Sequence, residues 1–221
     1  MLVFFSPATP LRNDLKRLGV RYVVIEAAEN ESACHVSDDE EAVGRIATEH
    51  LIALGHRRIA LVNYEFPTSR RNAPRQRGYF KALTQAHLAP MPGWDDCHHL
   101  EVHLEQTFAR PKAPTGLLIY DEMGAATTIK ILRRRGMHVP RDVSVVALTA
   151  LGFGDAVAPS ISTVQTDLQG LGTGAVEKLL QMLRKPGSRP ASVRLKPEML
   201  VRESAGPPPA RTDASQDQAD E

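Results

Sequence analysis

Short apolar runs alternate with longer amphipathic segments along this chain, and that alternation restricts its fold more than any other feature. Six runs are predicted to be strands: Leu2–Phe5, Tyr22–Ile25, Ile59–Val62, Gly116–Ile119, Val143–Leu148 and Val193–Val201. Five segments are predicted to be helices: Leu11–Leu18, Asp38–Leu54, Arg75–Ala86, Asp121–Arg135 and Thr166–Leu183. Because strands that alternate with helices build parallel sheets, the sequence predicts an α/β fold whose ligands bind beyond the carboxyl ends of the strands.

The end of the sequence differs in composition from the rest. Pro197 interrupts the last strand-like run, which is typical of an edge strand. After Ser204 the chain continues with Ala, Gly and three prolines, and it then becomes polar. Such a composition buries too little apolar surface to offset the entropy lost on ordering, so residues 205–221 are predicted to be a disordered tail.

Charge and cysteine content limit the partners of the chain. It contains 27 Lys and Arg against 26 Asp and Glu, and therefore lacks the basic excess that nucleic-acid binding uses. Its two cysteines, Cys34 and Cys97, lie far apart in sequence, which favours a reducing cytoplasm over a disulfide framework. The first ten residues contain neither a signal peptide nor a membrane span. We therefore expect a cytoplasmic protein that meets no membrane and does not bind DNA through this chain alone.

Motifs for catalysis, cofactors and metals are weak. The sequence has no Gly-x-Ser-x-Gly, no Walker-type loop and no His-Glu-x-x-His, so an enzyme is not expected. Gly152-Phe153-Gly154 follows a strand but lacks the third glycine of a dinucleotide loop, and no cofactor is predicted. The context of Leu100 and Val102 is strand-like or helix-breaking. It favours a polar surface turn over a metal site for a nearby cluster, namely Cys97, His98, His99 and His103.

Three basic stretches are candidates for phosphate binding: Arg70-Arg71, Arg75-Gln76-Arg77 and Arg133–Arg135. Arg133–Arg135 end a predicted helix, where cations complement the helix dipole, so a structural role is favoured. Arg75 instead begins a predicted helix, just after a polar loop that follows a strand, and from there its side chain can face a cleft. The fork of donors on its guanidinium suits hydroxyls, carboxylates or phosphates, and Arg75 is therefore a predicted ligand-binding residue.

Six segments in a fixed order resemble the lactose/galactose repressor (LacI/GalR) family of transcription regulators, over about residues 2 to 204. These segments are Glu49 to Val62, Arg75 to Tyr79, Asp121 to Met123, Gly136 to Val146, Pro159 to Val164 and Val201 to Ser204. The resemblance implies two Rossmann-like lobes of the periplasmic-binding-protein type, joined by three crossing strands. A sugar-like effector is then expected in the cleft between the lobes, which closes around it by a hinge movement. The intact protein is expected to be a homodimer.

The mapping also implies domain boundaries. Residues 1–62 and 159–188 are expected to form the DNA-proximal lobe, and residues 63–158 and 189–204 the other lobe. Family members carry a helix-turn-helix headpiece and two further β-α units before the point where this sequence starts. The first lobe is therefore expected to be incomplete and to expose apolar surface and strand edges. Operator DNA is expected to be contacted only through the headpiece.

In the cleft, two positions depart from the family pattern. Tyr120 stands where the family often has an Asn, and Thr149 stands where it often has an Asp. Tyr120 can stack on a ring and Thr149 can give one hydrogen bond, so these two and Arg75 are the predicted ligand-binding residues. The alternative is a solute-binding protein of a sugar transport system, which would share the fold but would require a signal peptide.

Overall fold

A computed structural model of the chain describes residues 2–5, 9–27, 32–62, 71–92, 99–185, 187–188 and 190–210. Nine strands lie in this part of the chain: β1 Leu2–Phe5, β2 Tyr22–Ile25, β3 His35–Asp38, β4 Ile59–Val62, β5 Gly116–Ile119, β6 Ser144–Ala147, β7 Ser162–Gln165, β8 Val193–Leu195 and β9 Glu198–Leu200. Six helices accompany them: α1 Thr9–Arg17, α2 Glu40–Ala53, α3 Asn72–Gln85, α4 Leu100–Phe108, α5 Glu122–Arg134 and α6 Leu168–Arg184. The predicted α/β class is confirmed.

The first sheet contains four parallel strands in the order β1-β2-β3-β8. Successive side chains of a strand point to opposite faces, and β2 is buried on both. Val23 and Ile25 pack against α6 on one face, whereas Tyr22 and Val24 pack with Leu15 of α1 on the other. Within the described residues β1 pairs with β2 alone and is an edge strand of this sheet. Four apolar side chains of α6 are also exposed: Leu168, Val176, Leu180 and Leu183.

The second sheet contains five strands in the order β4-β5-β6-β7-β9, and β9 alone runs antiparallel, to β7. Its central strands β5 and β6 are buried along their full length, as near-continuous apolar runs require. Helices α4 and α5 cover one face, and α2 and α3 cover the other.

The chain passes between the two sheets three times. It leaves the first sheet after Asp38, returns after Gln165, and crosses again between Leu195 and Glu198. The last crossing contains Pro197, which cannot donate to a strand ladder. The run that the sequence predicts as one interrupted edge strand is thus two strands, β8 and β9, in different sheets.

The predicted lobe boundaries are wrong at three strands. The boundary at residue 62 places β4 in the first lobe, but β4 pairs with β5 in the second sheet, and α2 packs there against α3. In the same way β7 belongs to the second sheet and β8 to the first. The physical reason is that the chain crosses at Asp38, where α2 begins, rather than at the end of the next strand.

Two local predictions are also corrected. Leu100 and Val102 lie in helix α4, not in a strand or a helix-breaking turn, because Leu104 of the same segment is fully buried against α5 and β5. The start of the predicted disordered tail is ordered: Ala205 packs on the core and the Gly206 carbonyl accepts hydrogen bonds. Residues 211–221 lie outside the described residues.

Helices α2 and α3 touch through their backbones. A Cβ atom on Gly44 would lie 2.0 Å from the carbonyl oxygen of Arg75, and one on Gly78 would lie 2.0 Å from that of Glu41. This contact holds the first turns of both helices together, and those turns carry the charged residues of the cleft. No helix in the described ranges is long and apolar enough to span a bilayer.

His56 ties the ordered C-terminal segment to the core. It is fully buried, with Nε2 2.8 Å from the Gly206 carbonyl oxygen and Nδ1 2.9 Å from the Thr115 hydroxyl. Burial lowers the pKa of His56 below its usual 6.5, and it has the same effect on His50.

Because the folded His56 resists protonation, acid should destabilise the protein through it. Below about pH 6.5 the unfolded chain takes up a proton that the folded chain refuses, so stability falls as the pH falls. At pH 8 we expect His56→Gln to lose about 1–2 kcal/mol through its weakened hydrogen bonds. Urea unfolding measured between pH 8 and pH 5 should show a gap in the free energy of unfolding between wild type and variant that becomes smaller as the pH falls. A gap that stays constant over this range would contradict the prediction.

Candidate functional site

Three adjacent parallel strands end at one edge of the second sheet, and each is followed by a predicted site residue. Arg75 lies in the first turn of α3 after β4, Tyr120 follows β5 directly, and Thr149 comes two residues after β6. The order β4-β5-β6 makes their carboxyl ends neighbours. The structure therefore brings the three predicted residues together, at the edge where α/β folds bind ligands.

Arg75 is the centre of this cluster. Its side chain is only 1% exposed, and all three nitrogens of its guanidinium donate hydrogen bonds. Nε lies 2.6 Å from Oε2 of Glu40, Nη1 lies 3.1 Å from the carbonyl oxygen of Tyr120, and Nη2 lies 2.9 Å from Oγ1 of Thr149. The guanidinium also lies over the Tyr120 ring, 4.7 Å from its centroid, at a cation–π distance. The Tyr120 ring, which was predicted to stack on a ligand, thus packs on Arg75.

The first sheet contributes carboxylates to the same place. Glu26 follows β2 in a left-handed conformation with φ of 56°, and Asp38 is the last residue of β3. Arg71, just before α3, lies 3.3 Å from Glu26 and 3.0 Å from Glu40. Since Glu26 belongs to the first sheet and Arg71 precedes a helix of the second, this ion pair bridges the two lobes across the cleft.

Asp38 is buried among other acidic groups. It is 7% exposed, and its Oδ1 has no hydrogen-bond partner among the residues that the structure describes. Burial, reinforced by the nearby charges of Glu26 and Glu40, raises the pKa of Asp38 to about 7, against a smaller opposite effect of the Thr166 side chain.

The acidic half of this site was not predicted from the sequence. Asp38 was predicted to start a helix, but it ends strand β3, and Asp39 is the residue that caps α2, accepting from the amide of Ala42. The available signal was position: Glu26 directly follows one short buried strand, and Asp38 ends another. The predicted role of Arg133 in a helix end agrees with its place in the last turn of α5.

The cysteine–histidine cluster and the glycine segment do not come together as a site in the described part of the chain. Cys97 and His98 lie outside the described residues, and His99 and His103 belong to the start of α4. Among the residues with described positions, no group of three or more potential metal ligands occurs. The Gly152–Gly154 segment wraps a carboxylate of the protein itself.

That carboxylate is Glu122, which is fully buried below the loop that follows Thr149. Its Oε2 accepts from the amides of Leu151 and Phe153, at 2.8 and 3.2 Å, and its Oε1 lies 3.6 Å from Arg202. Glu122 therefore holds the loop beside the cleft in place.

We expect Glu122→Gln to lower the free energy of unfolding by about 2 kcal/mol, because the amide weakens two charge-assisted bonds and leaves Arg202 without its carboxylate. Urea denaturation measures the change. The control is Glu101→Gln on the exposed face of α4, which should change stability by less than about 0.5 kcal/mol. Equal effects of the two substitutions would disprove the anchoring role.

The two sheets, their three connections and the polar cleft between their carboxyl edges define a two-lobed binding protein. Residues 48–205 match the family described as periplasmic binding protein-like domain. The chain belongs to that family, and its relatives are regulators of the LacI type, as the sequence analysis inferred.

Among curated proteins, the arabinose metabolism transcriptional repressor of Geobacillus stearothermophilus is 31% identical over 205 residues, which are 86% of this chain and 55% of that repressor. The transcriptional repressor PurR of Aliivibrio salmonicida is 25% identical over 174 residues, which are 76% of this chain and 52% of the repressor. The chain thus spans about half the length of these relatives.

Solved structures of LacI family regulators are similar to this chain as well. A LacI family transcriptional regulator from Mycobacterium smegmatis matches with a TM-score of 0.77 and 28% identity, covering 93% of this chain and 78% of that one. A LacI family regulator from Enterococcus faecium with bound ribose matches with a TM-score of 0.79 and 21% identity, covering 93% and 79%. This second likeness concerns the fold.

Proposed function

We propose that this chain is the effector-binding domain of a LacI-type transcription regulator, and that a small polyhydroxylated molecule binds in the cleft. The observation that carries the proposal is the convergence of Arg75, Tyr120 and Thr149 on one strand edge, opposite the carboxylates of the other sheet. A guanidinium has five N–H groups, and a ligand hydroxyl can accept from those that the described contacts do not use. Thr149 then supplies a second hydrogen bond, and Tyr120 supplies an aromatic surface.

The bridge between the lobes suggests how binding is transmitted. Arg71 reaches Glu26 across the cleft, and Glu40 joins Arg71 to Arg75. A ligand that contacts Arg75 and the first sheet together would stabilise one relative position of the lobes over another. Such a difference in affinity between two states is what couples an effector to a distant site.

The relatives favour a regulator over a transport protein. The curated relatives named above are transcriptional repressors, and the structure from Mycobacterium smegmatis is of a LacI family transcriptional regulator. The balanced charge of this chain favours operator contact through another part of the regulator. We also infer a cytoplasmic location and a homodimeric intact protein. Support for the dimer is the match to a structure described as a dimeric Lac repressor, with a TM-score of 0.79 at 22% identity.

The test is a thermal-shift and calorimetry screen of the 221-residue chain against sugars, nucleosides and small acids. Binding should raise the melting temperature. Thr149→Val, which removes one hydroxyl, should weaken the binding of a hit about tenfold. The control Thr127→Val removes an exposed hydroxyl on α5 and should leave the affinity unchanged. Absence of any hit, or equal affinity in both variants, would overturn the proposed site.

A further inference from the structure

The carboxylates of the cleft outnumber its guanidiniums. Glu26 and Glu40 form ion pairs with the two arginines. Arg71 lies within 3.3 Å of both carboxylates, and Arg75 lies 2.6 Å from Glu40. Asp38 is the third carboxyl group, and none of these ion pairs includes it. When Asp38 is ionised, the described side chains of this cluster therefore carry one more negative group than positive groups.

Asp38 also has hydrogen-bonding capacity that the protein does not use. The residue is 93% buried, since its exposed fraction is 7%, and its Oδ1 has no partner among the described residues. Nearly all buried polar atoms in proteins are hydrogen-bonded, and the exceptions are concentrated at sites of strain or function. Oδ1 can only accept while the carboxyl group is ionised, so the group that would satisfy it is a donor.

We propose that the effector presents an ammonium group to Asp38, which makes the ligand class a small polyhydroxylated amine rather than a neutral sugar or an acid. This inference rests on the proposed function and specifies its ligand. An ammonium group supplies up to three donors together with the compensating charge. The hydroxyls of the same molecule would reach Arg75 and Thr149 on the opposite edge.

The groups around Asp38 support a cation at this position. Glu26 after β2 and Glu40 at the start of α2 both act on Asp38 with their negative charge. Glu26 also contributes a side-chain hydrogen bond that raises the pKa of Asp38, and Thr166 after β7 contributes one that lowers it. On β8 the paired residue is the uncharged Leu195, and the next residue is Lys196. The positive charge of Arg71 is offset by the two carboxylates that it contacts. The pKa of Asp38 is raised to about 7 by burial and by its acidic neighbours, and the acidic neighbours favour an ammonium group there as they favour a proton.

An anionic ligand fits this cluster poorly. It could accept from the unused N–H groups of Arg75, but it would lie near the charge of Glu40, whose Oε2 is 2.6 Å from Nε of Arg75, and it would meet the charges of Glu26 and Asp38. A neutral sugar could donate to Oδ1 but would bring no positive charge to an ionised Asp38. A protonated amine brings both a donor and a positive charge.

The experiment compares sugar derivatives that carry a positive, no or a negative charge. Hexosamines, their parent hexoses and the matching hexuronic acids are titrated into the 221-residue chain at pH 7, with the melting temperature and the heat of binding as readouts. We expect the amines to bind at least tenfold more tightly than the hexoses, with no shift from the uronates. Tighter binding of a hexose or a uronate would overturn the inference and leave the proposed function standing. Absence of binding by all three classes would overturn the inference, and only absence of any hit in the wider screen would overturn the proposed function as well.

The pH dependence and two variants identify the residue. For a 1-amino-1-deoxyhexitol, whose alkylamine stays protonated, affinity should rise about tenfold from pH 6 to pH 8 as Asp38 loses its proton. Asp38→Asn should abolish this pH dependence and the preference for amines. At pH 8 it should also raise the melting temperature of the free protein, because it removes a buried charge. The control Asp39→Asn keeps a good helix cap and should leave the affinity within about twofold. Amine binding that Asp38→Asn does not alter would disprove the assignment.

Discussion

Replacing Arg75 with methionine should abolish effector binding and lower the free energy of unfolding by about 3–5 kcal/mol, the largest effect expected of a single side chain in this protein. Methionine fills much of the same volume but has no donors. It leaves the Tyr120 carbonyl and the Thr149 hydroxyl without their partner, and Glu40 keeps Arg71 as its described ion-pair partner. Urea unfolding measures the loss of stability, and calorimetry with a ligand found in the screen measures the loss of binding.

The matched control lies two residues away. Arg77 is on the same helix, its side chain is 46% exposed, and its Nε lies 3.6 Å from Oε2 of Glu41. Arg77→Met should therefore change stability by less than about 1 kcal/mol and leave binding intact. A third variant, Arg75→Lys, keeps the charge but loses the planar fork, and it should restore only part of the stability. The interpretation fails if Arg75→Met and Arg77→Met behave alike.

Alanine at Gly44 or Gly78 should cost at least about 2–3 kcal/mol, because each new methyl group would meet rigid backbone rather than a movable side chain. The added Cβ would lie 2.0 Å from a carbonyl oxygen in both cases, so α2 and α3 would have to separate. Separation would also move Arg75 away from Glu40, and ligand binding should weaken along with stability. Thermal unfolding and ligand titration of each variant measure the two effects.

Gly172 is the control for these glycines. It also lies in a helix, α6, but a Cβ atom there would have no heavy atom within 4 Å. Gly172→Ala should stabilise the protein by about 0.5–1 kcal/mol, through the higher helix propensity of alanine. The opposite signs expected at Gly172 and Gly78 separate packing from propensity. Destabilisation of similar size at both positions would show that backbone contact between α2 and α3 is not the cause.

Local patterns in the sequence were sufficient for most of the elements. The runs at Tyr22–Ile25, Ile59–Val62 and Gly116–Ile119 are strands with the predicted bounds, because buried parallel strands need continuous apolar residues. Strand β3 was missed because His35 and Asp38 interrupt its apolar character. Helix α4 was missed because the histidines at its start resemble a turn, and its burial against α5 decides its conformation.

The candidate site, too, could be predicted only in part from the sequence. Arg75 was predictable from its place at the start of a helix after a strand, and Tyr120 and Thr149 from the family resemblance, although the role of all three in binding remains a prediction. The α/β class and most of the elements follow from local patterns, since both depend on interactions within a few residues. Which sheet each strand joins depends on long-range contacts. The same is true of the way in which Glu26, Asp38, Glu40 and Arg71 meet. Those contacts depend on the backbone packing of α2 against α3 and on the crossing at Asp38, which no local pattern encodes.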